Sequence, residues 1–223
     1  MFIKNTYYYM KNTTFSIGKK FIKLYLLIAA FCLPAFAQSP NGFQLIKEGN
    51  FSEAVKVYSA QIEQNKDYAP SFYGRALAYS HLEQYNEALK DFSKAIELNP
   101  KYENALYARA LAYIKLSDYS SAVKDLTKAI ELNQKNADYY YTRGLVFYYT
   151  EDDGKSIADY TKALEINAAY EIAYYGRGIA YKYSKNYNNA ISDLQMYLKV
   201  GSNELYIEEA KRVIEVIQLE NEQ

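Results

Sequence analysis

Lys94-Ala95-Ile96-Glu97-Leu98-Asn99 returns as Lys128-Ala129-Ile130-Glu131-Leu132-Asn133 and again as Lys162-Ala163-Leu164-Glu165-Ile166-Asn167, each time 34 residues further on. A second phrase keeps the same step: Arg75-Ala76-Leu77-Ala78-Tyr79, Arg109-Ala110-Leu111-Ala112-Tyr113, Arg143-Gly144-Leu145-Val146-Phe147 and Arg177-Gly178-Ile179-Ala180-Tyr181. A fixed period of this length marks a chain of stacked supersecondary units, none of which buries its apolar face alone. Fold class therefore follows from what one unit is.

One unit reads as two helices. Phe72, Leu77, Tyr79 and Leu82 fall near helical spacing, and so do Ala88, Leu89, Phe92, Ala95, Ile96 and Leu98. The polar turn Glu83-Gln84-Tyr85-Asn86 separates the two runs, and Pro100 stops the second. Small residues at Ala76, Ala88 and Ala95, and at Ala110, Ala122 and Ala129 one period later, let helices approach closely. Tyr79, Tyr85 and Phe92 supply the bulk that fills the gaps.

A period of 34, a Gly or Ala in the middle of the first helix, an Ala early in the second and a closing Pro resemble the tetratricopeptide repeat. The resemblance spans about residues 35–204, with units at 69–102, 103–136, 137–170 and 171–204 and a weaker one at 35–68, whose first helix starts near Pro40. It implies an all-α, right-handed superhelical solenoid of antiparallel helix pairs. The fourth unit departs from the pattern: Thr150-Glu151-Asp152-Asp153-Gly154 replaces the aromatic-bearing turn and Ser156 stands where the others carry Ala, which predicts looser packing there. Beyond 204, Tyr206, Ile207, Ala210, Val213, Ile214 and Ile217 form one apolar stripe, so 205–223 is predicted to be a helix capping the array.

Two registers are candidates for function. An Arg and an Asp stand 16 residues apart in four units: Arg75 with Asp91, Arg109 with Asp125, Arg143 with Asp159, Arg177 with Asp193. The first unit has Asn41 and Val57 there, so the partners are lost together. That predicts ion pairs inside each unit; the functional alternative is arginines that face a groove and grip carboxylates. Tyr73, Tyr107, Tyr141 and Tyr175 occupy a second register, with Leu77, Leu111, Leu145 and Ile179 one turn later. The resemblance implies that this face lines a concave groove, extended at the helix ends by Tyr148, Tyr149 and Tyr183. The bland alternative is that these tyrosines pack locally. The family's clamp of Lys, Asn and Arg around a terminal carboxylate is not found, since Tyr73, Tyr107, Leu77, Gly74 and Ala108 hold those registers. An extended or helical apolar segment suits such a groove better than an acidic tail.

The first 37 residues read as a secretory signal: a basic stretch ending in Lys19, Lys20 and Lys23, an apolar run from Leu24 to Cys32, and Ala35-Phe36-Ala37 before Gln38. Cleavage is expected after Ala37, from a start at Met1 or Met10, giving a periplasmic or secreted product. An uncleaved anchor needs ~20 apolar residues, and Pro34 interrupts the run; lipidation at Cys32 is disfavoured by Phe31 beside it. Residues 1–37 hold five of the 26 basic residues and none of the 26 acidic ones, so the remainder carries 21 against 26, a net −5. A mildly acidic product argues against nucleic acid as a partner. It also has no cysteine, hence no disulfide and no thiol chemistry.

Signals for catalysis are weak. His81 is the only histidine and reads as a surface or groove-edge residue. Gly154-Lys155-Ser156 lacks the earlier glycine of a phosphate-binding loop, where Tyr149 sits, and follows a helix. Asp152 and Asp153 suit a helix cap better than a calcium loop, and Glu208/Glu209 and Glu220/Glu222 read as solvated helix face. The reading is of a protein-binding module without cofactor or metal. Its alternatives are an accessory subunit that positions a substrate for an envelope enzyme and a self-associating scaffold.

Overall fold

In the computed structural model, residues 41–221 are described, and they form eleven α-helices with no strand among them. The leader at 1–37 lies outside the described residues. The helices are α1 (Gly42–Lys47), α2 (Phe51–Gln64), α3 (Ala69–His81), α4 (Tyr85–Leu98), α5 (Glu103–Lys115), α6 (Tyr119–Leu132), α7 (Ala137–Tyr149), α8 (Asp153–Ile166), α9 (Glu171–Tyr183), α10 (Tyr187–Val200) and α11 (Glu204–Asn221). From α3 onward the first helix of each pair starts at 69, 103, 137 and 171, and second helices start at 51, 85, 119, 153 and 187. Each helix packs on its neighbours in sequence, which is the one-dimensional stacking of a solenoid.

The reversals inside each pair share one geometry. Gly49, Glu83, Ser117, Glu151 and Lys185 all have φ near +60 to +80°, at one register of the repeat. The next residue's N–H reaches back five residues in every case, as in Gln84 to the Tyr79 carbonyl at 2.9 Å and Asn186 to Tyr181 at 2.8 Å. This is the Schellman way of closing a helix, and it satisfies carbonyls that would otherwise be orphaned. Only the first turn gives that position to a glycine. Between pairs the device is an Asx turn: the side chains of Asn65, Asn99, Asn133 and Asn167 accept from the N–H two residues on, at 3.0–3.1 Å. Pro70 sits in the first turn of α3, where its missing N–H costs nothing.

Bulk on one helix is matched by smallness on its two neighbours. Tyr58, Phe92, Leu126, Tyr160 and Leu194 share a register on the second helices, and all are buried. Sixteen residues before and after the two tyrosines stand glycines: Gly42 and Gly74 around Tyr58, Gly144 and Gly176 around Tyr160. The same positions around Phe92 hold Ala76 and Ala108, and around Leu126 hold Ala110 and Thr142. A Cβ at Gly176 would stand 2.8 Å from the Tyr160 ring, and one at Gly74 would fall inside the Tyr58 ring's contact distance. At Gly74, Gly144 and Gly176 glycine is retained inside a helix, against its propensity, because a tyrosine fills the space; at Gly178 the bulk is Leu194, whose Cγ a Cβ would meet at 2.9 Å.

The seam between α7 and α8 of the fourth unit packs closely, which corrects the expectation of looseness at Ser156, whereas the turn, without its aromatic, leaves open space beside Tyr148, Tyr149 and Asp153. Ser156 is fully buried and its hydroxyl donates to the Gly144 carbonyl at 2.9 Å, so the polar atom in the seam is satisfied. Asp152 caps α8 by accepting from the Lys155 N–H at 3.2 Å. At the end of the array, Ala210 and Ile217 of α11 are fully buried. Tyr206, Ile207, Val213 and Ile214 pack against Leu194 and Tyr197 of α10, covering the stacking face of the last pair.

Candidate functional site

All four arginines meet their aspartates in paired hydrogen bonds. Arg109 Nε and Nη2 donate to Asp125 Oδ2 and Oδ1, both at 2.7 Å, and the other three pairs repeat this at 2.6–2.9 Å. The aspartate side chains are about nine-tenths buried and the arginines about four-fifths. Each remaining Nη1 donates to a hydroxyl on the second helix of the preceding unit: Ser59, Ser93, Thr127 and Thr161, at 2.9–3.1 Å. One guanidinium thus ties three successive helices, whereas the spacing alone predicts a contact inside one unit. The hydroxyls at 59, 93, 127 and 161 recur at the repeat period, so the signal is present in the sequence. The alternative in which these arginines grip a guest's carboxylates fails, because their donors are engaged within the array. By contrast the i,i+3 pairs Lys94–Glu97, Lys128–Glu131 and Lys162–Glu165 are solvated and contribute little.

The tyrosine register divides. Every member leans on an aromatic ring one boundary further along: Tyr73 on Tyr102 at 5.0 Å, Tyr107 on Tyr139 at 5.0 Å, Tyr141 on Tyr170 at 5.2 Å and Tyr175 on Tyr206 at 4.8 Å. These tilted pairs stabilise the stacking of units. Tyr107 also hydrogen-bonds Thr142 at 3.2 Å. Tyr73 and Leu77 pack into the seam around Phe92, and Tyr107 into the seam around Leu126. Leu111 is exposed.

In the second half of the array the register opens. Tyr141, Leu145, Tyr149, Tyr175 and Ile179 line a cleft of about 200 Å³, together with Tyr148, Ile172 and Tyr206. Helices α7 and α9 supply the walls, Gly176 lets them approach the floor, and Tyr160 of α8 forms that floor. Tyr183 lies outside it and borders a neighbouring cavity. Sequence periodicity finds the wall residues but not Tyr206, which belongs to the capping helix, nor Ile172.

Burial leaves a mark on the phenols. Burial first, then neighbouring rings, pushes Tyr73 and Tyr141 up to about 12 from the usual 10. Tyr160 and Tyr175 are raised further by burial first, then respectively by Tyr141 and by Glu209; Tyr170 is raised by burial and then by its bond to Asp138. A phenol whose folded pKa is raised stabilises the fold fully below its unfolded value near 10, and that contribution is lost as pH rises through 12. We therefore expect an alkaline titration to show these buried phenols ionising in one late step that coincides with loss of helical circular dichroism. Ionisation of all phenols near pH 10 with helicity intact would contradict the packing described.

His81 lies flat on Phe51, ring centroids 4.5 Å apart and 4° from parallel. Among the described residues no group of three or more His, Cys, Asp or Glu side chains could hold a metal ion, and no helix is long and apolar enough to cross a membrane.

Antiparallel helix pairs at a 34-residue step, stapled by recurring Arg–Asp–hydroxyl bonds and capped at one end, define a helical-repeat solenoid. Tetratricopeptide-repeat profiles match residues 69–102, 92–124 and 137–170, and a further TPR repeat profile matches 111–150; the chain is a tetratricopeptide-repeat protein. The fold is shared with MamA (24% identical, TM-score 0.67, covering 71% of this chain and 86% of that one). It is shared too with YrrB, described as a TPR protein with an unusual peptide-binding site (21%, TM-score 0.68, 77% and 88%). A tetratricopeptide repeat protein from Parabacteroides merdae is similar over 81% of this chain and 71% of its own (23%, TM-score 0.64). At these identities the likeness is one of fold. No curated protein matches the chain by sequence.

Proposed function

We propose that this protein is an exported protein-interaction module that holds an apolar polypeptide segment in the cleft between α7 and α9. The cleft walled by Tyr141, Leu145, Tyr175 and Ile179 carries this reading, because it joins aliphatic and phenolic surface on a rigid frame. Rigid amphipathic rings give contact area at little entropic cost. The fold adds support, since repeat arrays present extended concave surfaces, and YrrB by its description binds peptide. Export rests on the leader alone, and it predicts that protein recovered from its host begins at Gln38; recovery of the chain from the cytoplasmic fraction with its leader intact would refute it.

Selection from a random peptide library tests the binding role. Peptides recovered on the wild-type protein should carry apolar anchor residues, and Leu145→Lys should weaken them at least tenfold while leaving the far-UV spectrum unchanged. Leu145 is half-buried at the wall rather than in the seam, so the variant is expected to fold. Unchanged affinity in Leu145→Lys would remove the cleft as the site.

A further inference from the structure

Asp153 breaks a register that is otherwise aromatic. Phe51, Tyr85, Tyr119 and Tyr187 hold the same first position of the second helices. The ring there meets the last residue of a first helix: Phe51 stacks on His81, and Tyr119 stacks on Tyr149 at 5.7 Å. At the next step Tyr183 has a carboxylate opposite it instead of a ring, and it turns to Tyr148 at 5.8 Å and 57°. What remains is a cavity of about 460 Å³ bounded by Tyr148, Tyr149, Tyr183, Glu151 and Asp153. Tyr148 and Tyr149 also line the apolar cleft, so the two spaces adjoin.

The lining is complementary to a positive charge. Three phenol rings offer negative faces, which attract ammonium and guanidinium groups. Neither Glu151 nor Asp153 forms an ion pair among the described residues. Capping of α8 falls to Asp152, so Asp153 is not needed for it. Burial first, and then the charges of Glu151 and Asp152, push the Asp153 carboxyl up, the response of an acid partly withdrawn from water with like charges near it. The nearby lysines do not border the cavity: Lys155 pairs with Asp152 at 2.6 Å, and Lys182 Nζ lies over the Tyr183 ring at 5.7 Å from its centroid, so that ring already has one cation beside it and Tyr148 and Tyr149 are the rings left to a guest.

We propose that this cavity receives the cationic end of a lysine or arginine side chain belonging to the polypeptide whose apolar residue occupies the adjoining cleft. The inference rests on the proposed binding role and adds its specificity: an apolar anchor with a basic residue beside it. The ammonium displaces only open solvent, lies against the rings of Tyr148 and Tyr149, and neutralises one of two carboxylates that otherwise repel.

The test uses n-butylammonium chloride as probe and n-butanol as its uncharged counterpart, at constant ionic strength. Ring resonances of the protein labelled in its tyrosines report binding. The ammonium should shift Tyr148 and Tyr149 saturably and bind at least fivefold more tightly than the alcohol. Asp153→Tyr, which restores the residue type that three other units carry, should fill the cavity and abolish this binding. Should Asp153→Tyr misfold, the near-isosteric double variant Glu151→Gln/Asp153→Asn decides, with a loss of at least fivefold expected. Equal binding of alcohol and ammonium, or full ammonium binding in the variant that folds, overturns the proposal. Because the probe is not a peptide, failure of the cation site leaves the library result standing, and ammonium binding without peptide selection would sink the cleft alone.

Discussion

Asp125→Ala is expected to lower the stability of the protein by about 3–5 kcal/mol, the range for removing one partner of a buried ion pair. The aspartate accepts two bonds from Arg109 at 2.7 Å while the third guanidinium donor is held by Ser93 at 2.9 Å. Loss of the carboxylate leaves a cation about four-fifths enclosed between α4, α5 and α6 with one hydroxyl for company. The attraction itself is a smaller quantity than this penalty, and the two can be separated. Removing both charges with Arg109→Met and Asp125→Leu should recover most of the loss, since an apolar pair of similar volume often matches a buried ion pair. Urea unfolding of the wild type, Arg109→Met, Asp125→Leu and the double closes the cycle, and a coupling energy near zero would mean that the pair does not act as a unit. Ser93→Ala should cost less, about 0.5–1.5 kcal/mol, as one hydrogen bond does. Its effect should reach across the boundary between units, because Ser93 and Arg109 belong to different ones.

How much of this is legible in the sequence depends on how far a feature travels along the chain. The helix pairs and the Arg–Asp register repeat at one step, so a single unit predicts the rest, and the capping helix shows in the stripe from Tyr206 to Ile217. Features that need two units at once are harder to see. Ser59 and its equivalents contact an arginine 16 residues later, in the next unit, and Ser or Thr at an otherwise polar position gives no apolar pattern to notice. The left-handed turn residues are hidden because Glu83, Ser117, Glu151 and Lys185 occupy a position where only Gly49 advertises it. The fourth unit misleads because Ser156 invites comparison with the alanine it replaces, whereas its hydroxyl finds the Gly144 carbonyl and closes the seam. The candidate groove is half legible. Its tyrosine register is real, but all four rings lean on a neighbour across the boundary, so the register alone does not separate Tyr141 and Tyr175, which also line the cleft, from Tyr73 and Tyr107. At Tyr107 the boundary residue is Asn136, and Tyr139 takes the place of the ring that Tyr102 and Tyr170 provide elsewhere.

The same chemical change should have opposite signs at two glycines of neighbouring units, and this is the sharpest test of the tyrosine-between-glycines packing. At Gly154, in the exposed first turn of α8, an added Cβ meets nothing nearer than the Asp152 carboxylate at 4.0 Å. Gly154→Ala should therefore stabilise the protein by about 0.4–1 kcal/mol, through the lower entropy of the unfolded chain and the better helix propensity of alanine. At Gly176 the same methyl stands 2.8 Å from the Tyr160 ring, which is 1% exposed and already bounded on its other side by Gly144, where a Cβ would lie 3.1 Å away. The ring has no room to yield, so overpacking outweighs propensity and Gly176→Ala should destabilise by about 1–3 kcal/mol. Tyr160→Leu should remove the conflict, because Leu126 sits between Ala110 and Thr142 at the equivalent place. In the Tyr160→Leu background, Gly176→Ala should become neutral or stabilising when both are compared by urea unfolding. That reversal distinguishes a steric wedge from a requirement for backbone freedom: if Gly176→Ala remained as harmful in that background as in the wild type, the glycine would be serving the helix rather than the ring.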